Sequence, residues 1–236
     1  MKRLMAVLFG MLLATAPLAD AATTLDTVPF TITYTNNSGT GEPDISLVAQ
    51  TPLTLSISLD TLNRELQYWP AIDQTGEVAV NGSGHASLLL IDVHAGYRVT
   101  GVSVHALAYG ELVPGQLDGY PPGVANNSAS LNWTLAAPGT TLPFAWQLDN
   151  FSGLQPFALA SGPLALDGSF QIDLLATVWA QALAAGGDGS YAQSMALASI
   201  GNAILNIEVA AIPEPGTYAM LLAGLAVLGW PRRKIA

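Results

Sequence analysis

Apolar and polar residues alternate with a period of two through much of this chain, and that pattern restricts the fold more than any other feature. In residues 29–35, Phe30, Ile32 and Tyr34 fall on one side and Thr31, Thr33 and Thr35 on the other. Residues 53–60 set Leu53, Leu55, Ile57 and Leu59 against Thr54, Ser56, Ser58 and Asp60. Residues 144–149 set Phe144, Trp146 and Leu148 against Ala145, Gln147 and Asp149. Successive side chains of a strand point to opposite faces, so each stretch reads as a strand with one buried and one wet face. Between Tyr97 and Val104 the apolar phase runs through Tyr97 and Val99, then resumes at Val102 and Val104. The slip at Gly101 predicts a β-bulge.

Clusters of Gly, Pro, Asn and Ser punctuate these stretches at 36–44, 81–84, 111–123, 126–128, 137–141, 161–163, 166–169 and 186–190. Short strands between such turns predict an all-β fold, an antiparallel β-sandwich of jelly-roll-like type. A long connection over 109–130 offers room for a binding site. Residues 169–211 are rich in alanine and admit a reading as two helices. The alternation of Phe170, Ile172 and Leu174, and of Val178 among Ala176, Ala180 and Ala182, favours strands joined by a hairpin loop at 186–190.

Charge and cysteine content remove whole classes of function. The chain has seven Lys and Arg residues, five of them at its ends: Lys2, Arg3, Arg232, Arg233 and Lys234. Between Ala22 and Ile212 only Arg64 and Arg98 remain against fifteen acids, a net charge near −13. Such a surface repels phosphate backbones, so no nucleic-acid partner is expected. With no Cys, a disulfide scaffold, a cysteine nucleophile and a cysteine lipid anchor are all ruled out.

No constellation of catalytic or metal-binding residues stands out. His85, His94 and His105 are close in sequence but fit no metal-ligand spacing, and they read as structural histidines. Asp167-Gly168 and Asp188-Gly189 lack the acidic ladder of a calcium loop and read as turns. There is no Gly-x-Ser-x-Gly elbow and no phosphate-binding glycine loop. No catalytic residue, metal or cofactor is therefore expected. Trp69 and Tyr120, placed beside prolines in expected loops, are the candidate ligand-stacking residues; the competing reading has them cap the ends of the core.

Both ends carry targeting patterns. Lys2 and Arg3 precede an apolar run from Leu4 to Ala14, and Ala19 and Ala21 occupy the small-residue positions of a signal-peptidase site. Residues 1–21 thus read as a signal peptide, too short for a stable span. At the other end, Tyr218 to Trp230 is thirteen uncharged residues, about 20 Å as a helix at ~1.5 Å per residue. A hydrocarbon core of ~30 Å calls for about twenty residues, so this helix spans marginally. The basic residues after it orient the tail to the cytoplasm and the body outside. Pro215 suits a first helical position and Glu214 lies at the positive end of the helix dipole, while Pro213 keeps Ile212 extended.

Pro213-Glu214-Pro215, a short apolar helix and the terminal cluster Arg232, Arg233 and Lys234 together resemble the PEP-CTERM sorting signal. Gly216-Thr217 stands where Ser-Thr is more usual, and Pro231 interrupts the helix before the basic cluster. The resemblance implies a Gram-negative bacterium that makes exopolysaccharide, and an exosortase-like membrane transpeptidase that recognises Pro213, Glu214 and Pro215. It also favours strands for 169–211, because the bodies of such proteins often finish with an alanine-alternating hairpin before the anchor. The expected organisation is a signal peptide at 1–21 and an extracytoplasmic sandwich at 212's N-terminal side, over 22–211. A sorting and anchor segment follows at 212–236, with its single transmembrane helix at about 217–231 and a basic tail at 232–236.

The expected function is that of a non-enzymatic cell-surface or extracellular-matrix protein. It would be processed by signal peptidase, held transiently in the inner membrane with its body in the periplasm, then secreted or displayed and linked to extracellular polysaccharide and biofilm. A carbohydrate-binding module is the alternative, and a secreted hydrolase with unrecognised carboxylates ranks below it.

Overall fold

The structure is a computed structural model that describes residues 22–36 and 44–212 and, beyond these, Met220, Leu222, Ala223 and Leu225. The alternating stretches form strands, and the strands pack as two antiparallel sheets around one core. Sheet A runs β1 (Ala22–Asp26), β2 (Phe30–Asn36), β6 (Ala79–Val93), β11 (Phe170–Leu183), β8 (Val124–Ala137) and β9 (Thr140–Asp149). Sheet B runs β10 (Gly153–Ala160), β7 (Tyr97–Val113), β14 (Ser194–Ala211), β4 (Thr54–Ser58) and β3 (Ser46–Gln50), and β5 (Trp69–Asp73) also pairs with β14. From β6 to β8, and again from β9 to β14, the chain crosses between the sheets, which is the sandwich architecture with jelly-roll-like connections. At the side where β9 and β10 are the edges, Trp146 stacks on Phe157 with ring centres 3.8 Å apart and joins the two sheets.

The alanine-rich segment 169–211 is strand throughout its long elements, and it supplies the central strand of each sheet. The two strands are not a hairpin with one another: β11 lies between β6 and β8 in sheet A, and β14 lies beside β7 in sheet B. Only the tip pairs locally, β12 (Ala185–Gly187) with β13 (Ser190–Ala192), around a turn where Asp188 and Gly189 have φ of 52° and 84°. An Asp-Gly pair tolerates that left-handed backbone. The alanines have a packing reason. Inward positions of β11 shrink from Phe170, Ile172 and Leu174 to Ala180 and Ala182, while those of β14 grow from Ala196 and Ala198 to Leu205, Ile207 and Val209. Ala71, Ala180, Ala182 and Ala196 form a small cluster of their own, so only small side chains fill the space between the facing sheets there.

Two bulges correct the register of the long strands. On β7, Val99 pairs with Val209 and Gly101 with Glu208, which leaves Thr100 as the extra residue beside the predicted slip. On β14 the register shifts between Gly201 and Ile204, with Asn202 at φ 52°. Here α1 (Asp60–Glu65) covers the gap that the bulge opens between β4 and β5 on one edge of β14. The Leu59 N–H donates to the Ala203 carbonyl at 3.0 Å, and the Ala203 N–H donates to the Asn63 side-chain oxygen at 2.7 Å. The Ile200 N–H donates to the Leu66 carbonyl at 2.9 Å. The interrupted ladder is thus satisfied by the helix and its flanks.

Two expected turns are not turns. Residues 81–84 lie inside β6 and 126–128 inside β8, because both segments pair with β11 along its whole length and that ladder outweighs local turn preference. Gly82 is needed in the strand for another reason: a Cβ there would run into the Val178 carbonyl of β11. The connection expected over 109–130 shortens to residues 114–123, since β7 and β8 extend into both of its ends.

Candidate functional site

The end of sheet B from which the chain continues past Ala211 carries a cluster of turns. The Ile212 N–H donates to the Gly96 carbonyl at 2.7 Å, and the Val209 N–H to the Leu53 carbonyl at 2.8 Å. A shallow depression lined by Val28, Pro29, Pro52, Leu55, Tyr97 and Ala211 lies at this end. Past it, Met220, Leu222 and Leu225 are helical and exposed, so these side chains make no use of the sandwich core. Among the described residues no helix is long and apolar enough to cross a membrane. The expected signal-peptidase positions Ala19 and Ala21, the triplet Pro213, Glu214 and Pro215, and the basic cluster Arg232, Arg233 and Lys234 all lie outside the described residues.

Of the two candidate stacking residues, Trp69 lies on β5 rather than in a loop. It packs partly buried against the core, and its indole N–H donates to the Glu65 carbonyl at 2.7 Å. Tyr120 lies in the 114–123 connection over the β12–β13 tip, with its hydroxyl 3.3 Å from Asp188 Oδ2. A different aromatic, Trp179, stands on the outer face of β11 with 37 % of its surface exposed. It lies within a strand and not in a loop, and its outward direction follows from the buried neighbours Val178 and Ala180.

The buried ionisable groups are tied into the fold. His85 is buried on the inner face of β6, where its Nδ1–H donates to Glu65 Oε2 at 2.7 Å and its Nε2 is 2.8 Å from the Tyr34 hydroxyl. Asp44 is buried and accepts from the hydroxyls of Thr61 and Thr23, at 2.7 and 2.8 Å. Asp73 is buried at the end of β5. Burial pushes its pKa up, but donation from the Ala184 N–H, the Thr75 N–H and hydroxyl and the Gly76 N–H outweighs this and holds it below the ordinary value of 3.8. The remaining histidines sit elsewhere, His94 beside Thr31 and the Val28 carbonyl and His105 beside Ser103. Among the described residues no group of three potential ligands is placed to hold a metal ion.

Residues 211–234 match the protein family described as the PEP-CTERM protein-sorting motif. The chain carries a PEP-CTERM sorting motif. Export and sorting toward the cell surface are what that motif implies. The match begins on the last residue of β14, so the PEP-CTERM segment starts where the sandwich is already complete. No curated protein matches the chain. Among solved structures it is similar to TmCBM61 in complex with β-1,4-galactotriose, at 9 % identity and a TM-score of 0.26, over 68 % of this chain and 85 % of that one. It is also similar to the enzymatically active domain of tailspike protein 4 from bacteriophage CBA120, at 11 % identity and a TM-score of 0.22. That likeness covers 77 % of this chain and 19 % of the tailspike chain.

Proposed function

We propose that this chain is a non-enzymatic cell-surface or matrix protein whose sandwich is the cargo of its PEP-CTERM segment. In this reading residues 1–21 direct export and are removed after Ala21 by signal peptidase. The apolar segment then holds the precursor in the inner membrane with the body in the periplasm. An exosortase-like membrane transpeptidase recognises Pro213, Glu214 and Pro215, and the body passes to the surface or the exopolysaccharide matrix of a biofilm.

One observation carries the reading: the sorting motif begins at Ala211, where the last strand ends. A cut near Pro213–Pro215 therefore removes no described strand, and among the described residues the Ile212 to Gly96 hydrogen bond is the last backbone bond that ties the chain to the body. Exposure of Met220, Leu222 and Leu225 supports it, since apolar side chains that find no protein core are stabilised in lipid. Support for a non-enzymatic role comes from the buried ionisable groups, which are engaged in structural hydrogen bonds. The test is cell fractionation of Glu214→Ala and of a chain lacking Arg232–Lys234. Both are expected to collect in the inner membrane while the unaltered protein reaches the surface; surface delivery of both variants at the normal level would overturn the reading.

A further inference from the structure

The four tryptophans within the described residues have different surroundings. Trp133 is buried and stacks on Phe144, Trp146 stacks on Phe157, and Trp69 packs on the core with its N–H bonded. Trp179 has none of these. It faces outward from the central strand of sheet A, and among the described residues no aromatic ring stacks on it and its N–H has no acceptor. Its cross-strand partners are Gly82 on β6 and Ser128 on β8, and the next rung holds Gly84, Thr177 and Ser130. Glycine and serine on both sides leave the indole partly open to solvent, with 37 % of the residue's surface exposed. A ring that large, held on the most tightly paired strand of the sheet, is a rigid apolar platform with an unused donor at its edge.

The face continues from Trp179 along β11 to Gln171, eight residues or roughly 26 Å at ~3.3 Å per residue. Two separate depressions lie further along this line, neither of them lined by Trp179. One is built around Leu175, Asp173, Asn132 and Thr134, the other around Gln171, Leu90, Asp92 and Thr31. Each combines an exposed leucine with amide, hydroxyl and carboxylate groups; Leu175 is 49 % exposed. Such a strip offers apolar surface to the C–H faces of sugar rings, and acceptors and donors to their hydroxyls. It offers no cation. The body has only two arginines: Arg98 pairs with Asp167 at the end of sheet B, and Arg64 lies on α1 bonded to Thr61. Asp92 and Asp173 meanwhile give the face negative charge, which repels uronate, sulfate and phosphate groups.

We propose that the outer face of sheet A binds a neutral polysaccharide, with Trp179 as the stacking platform and Asn132 and Asp173 as hydrogen-bonding residues. The inference deepens the matrix reading by naming a ligand class, and it rests on that reading only for where the ligand is met. Its test is separate from sorting. The purified full chain, in detergent, is run in native gels cast with soluble glucan, galactan, mannan or xylan, and in gels cast with polygalacturonate. Retardation is expected in at least one neutral polymer and not in polygalacturonate. Trp179→Ala is expected to weaken it at least tenfold, Asp173→Asn to weaken it by less, and Trp69→Ala and Tyr120→Ala to leave it unchanged. Circular dichroism identical to the unaltered chain confirms that Trp179→Ala is folded, as an exposed position should allow. Absence of retardation in every neutral polymer overturns the proposal, as does preference for polygalacturonate, or retention of binding by folded Trp179→Ala. These outcomes leave the sorting result untouched, and a failed sorting test leaves the gels interpretable.

Discussion

His85 Nδ1 lies 2.7 Å from Glu65 Oε2 across the space between sheet A and α1, and this bond joins the helix to the sheet it does not extend. The imidazole is buried, so removing its acceptor leaves a polar group without water to replace it. Glu65→Leu is expected to lose about 1–3 kcal/mol of stability in urea unfolding. Converting both residues to leucine should cost less than the sum of the single changes, because the Glu65–His85 bond is lost only once and neither of its two partners is left buried alone. Strict additivity in that cycle would show that the two side chains are not coupled.

The small side chains between the sheets near Ala180 make a size prediction. Ala180 is fully buried among Ala71, Ala182 and Ala196. Ala180→Leu is expected to destabilise by about 1–3 kcal/mol through overpacking. Leu175→Ala, on the outer face of the same strand, is expected to change stability by no more than about 0.5 kcal/mol. Equal effects at the two positions would contradict the assignment of the faces of β11.

Asp73 gives the fold an acid dependence of definite sign. Its pKa in the folded state lies below the ordinary 3.8, so its contribution is complete above that pH and is lost as the pH falls through the folded value. Asp73→Asn replaces an acceptor of four hydrogen bonds, and about 1.5–3 kcal/mol is expected to be lost near neutrality. The gap between the two proteins should narrow below pH 3.8. A gap that stays constant from pH 7 to pH 3 would refute the role given to the carboxylate.

Much of this architecture is legible in the alternation of single residues. Phe30, Ile32 and Tyr34 are all buried, as are Leu55, Ile57 and Leu59, because a half-buried strand leaves no other placement for that pattern. Leu53 departs from it only because β4 begins at Thr54. The bulge next to Gly101 was visible for the same reason, as a break in phase. What stayed hidden depends on partners distant in sequence. The glycines of 81–84 look like a turn until β11 lies against them, and the bulge at Asn202 needs α1, about 140 residues earlier, to satisfy it. The same limit applies to the outer face: the parity of β11 turns Trp179 outward, but only the sheet order sets Gly82 and Ser128 beside it.

Asn63 offers a direct check on that long-range support. Its side chain accepts from the Ala203 N–H at 2.7 Å and donates to the Ala203 carbonyl at 3.3 Å. Asn63→Ala is expected to cost about 1–3 kcal/mol and to accelerate amide exchange at Ala203 and its neighbours more than elsewhere in β14. Uniform exchange along the strand would mean that the bulge does not depend on the helix.

The intact mass of the protein recovered from the cell surface tests the sorting account most directly. The full chain is 24.5 kDa. A species that begins at Ala22 and ends within a few residues of Pro213–Pro215, with or without a covalent addition at its new C-terminus, is the predicted result. A surface protein whose mass still includes Arg232, Arg233 and Lys234 would contradict it.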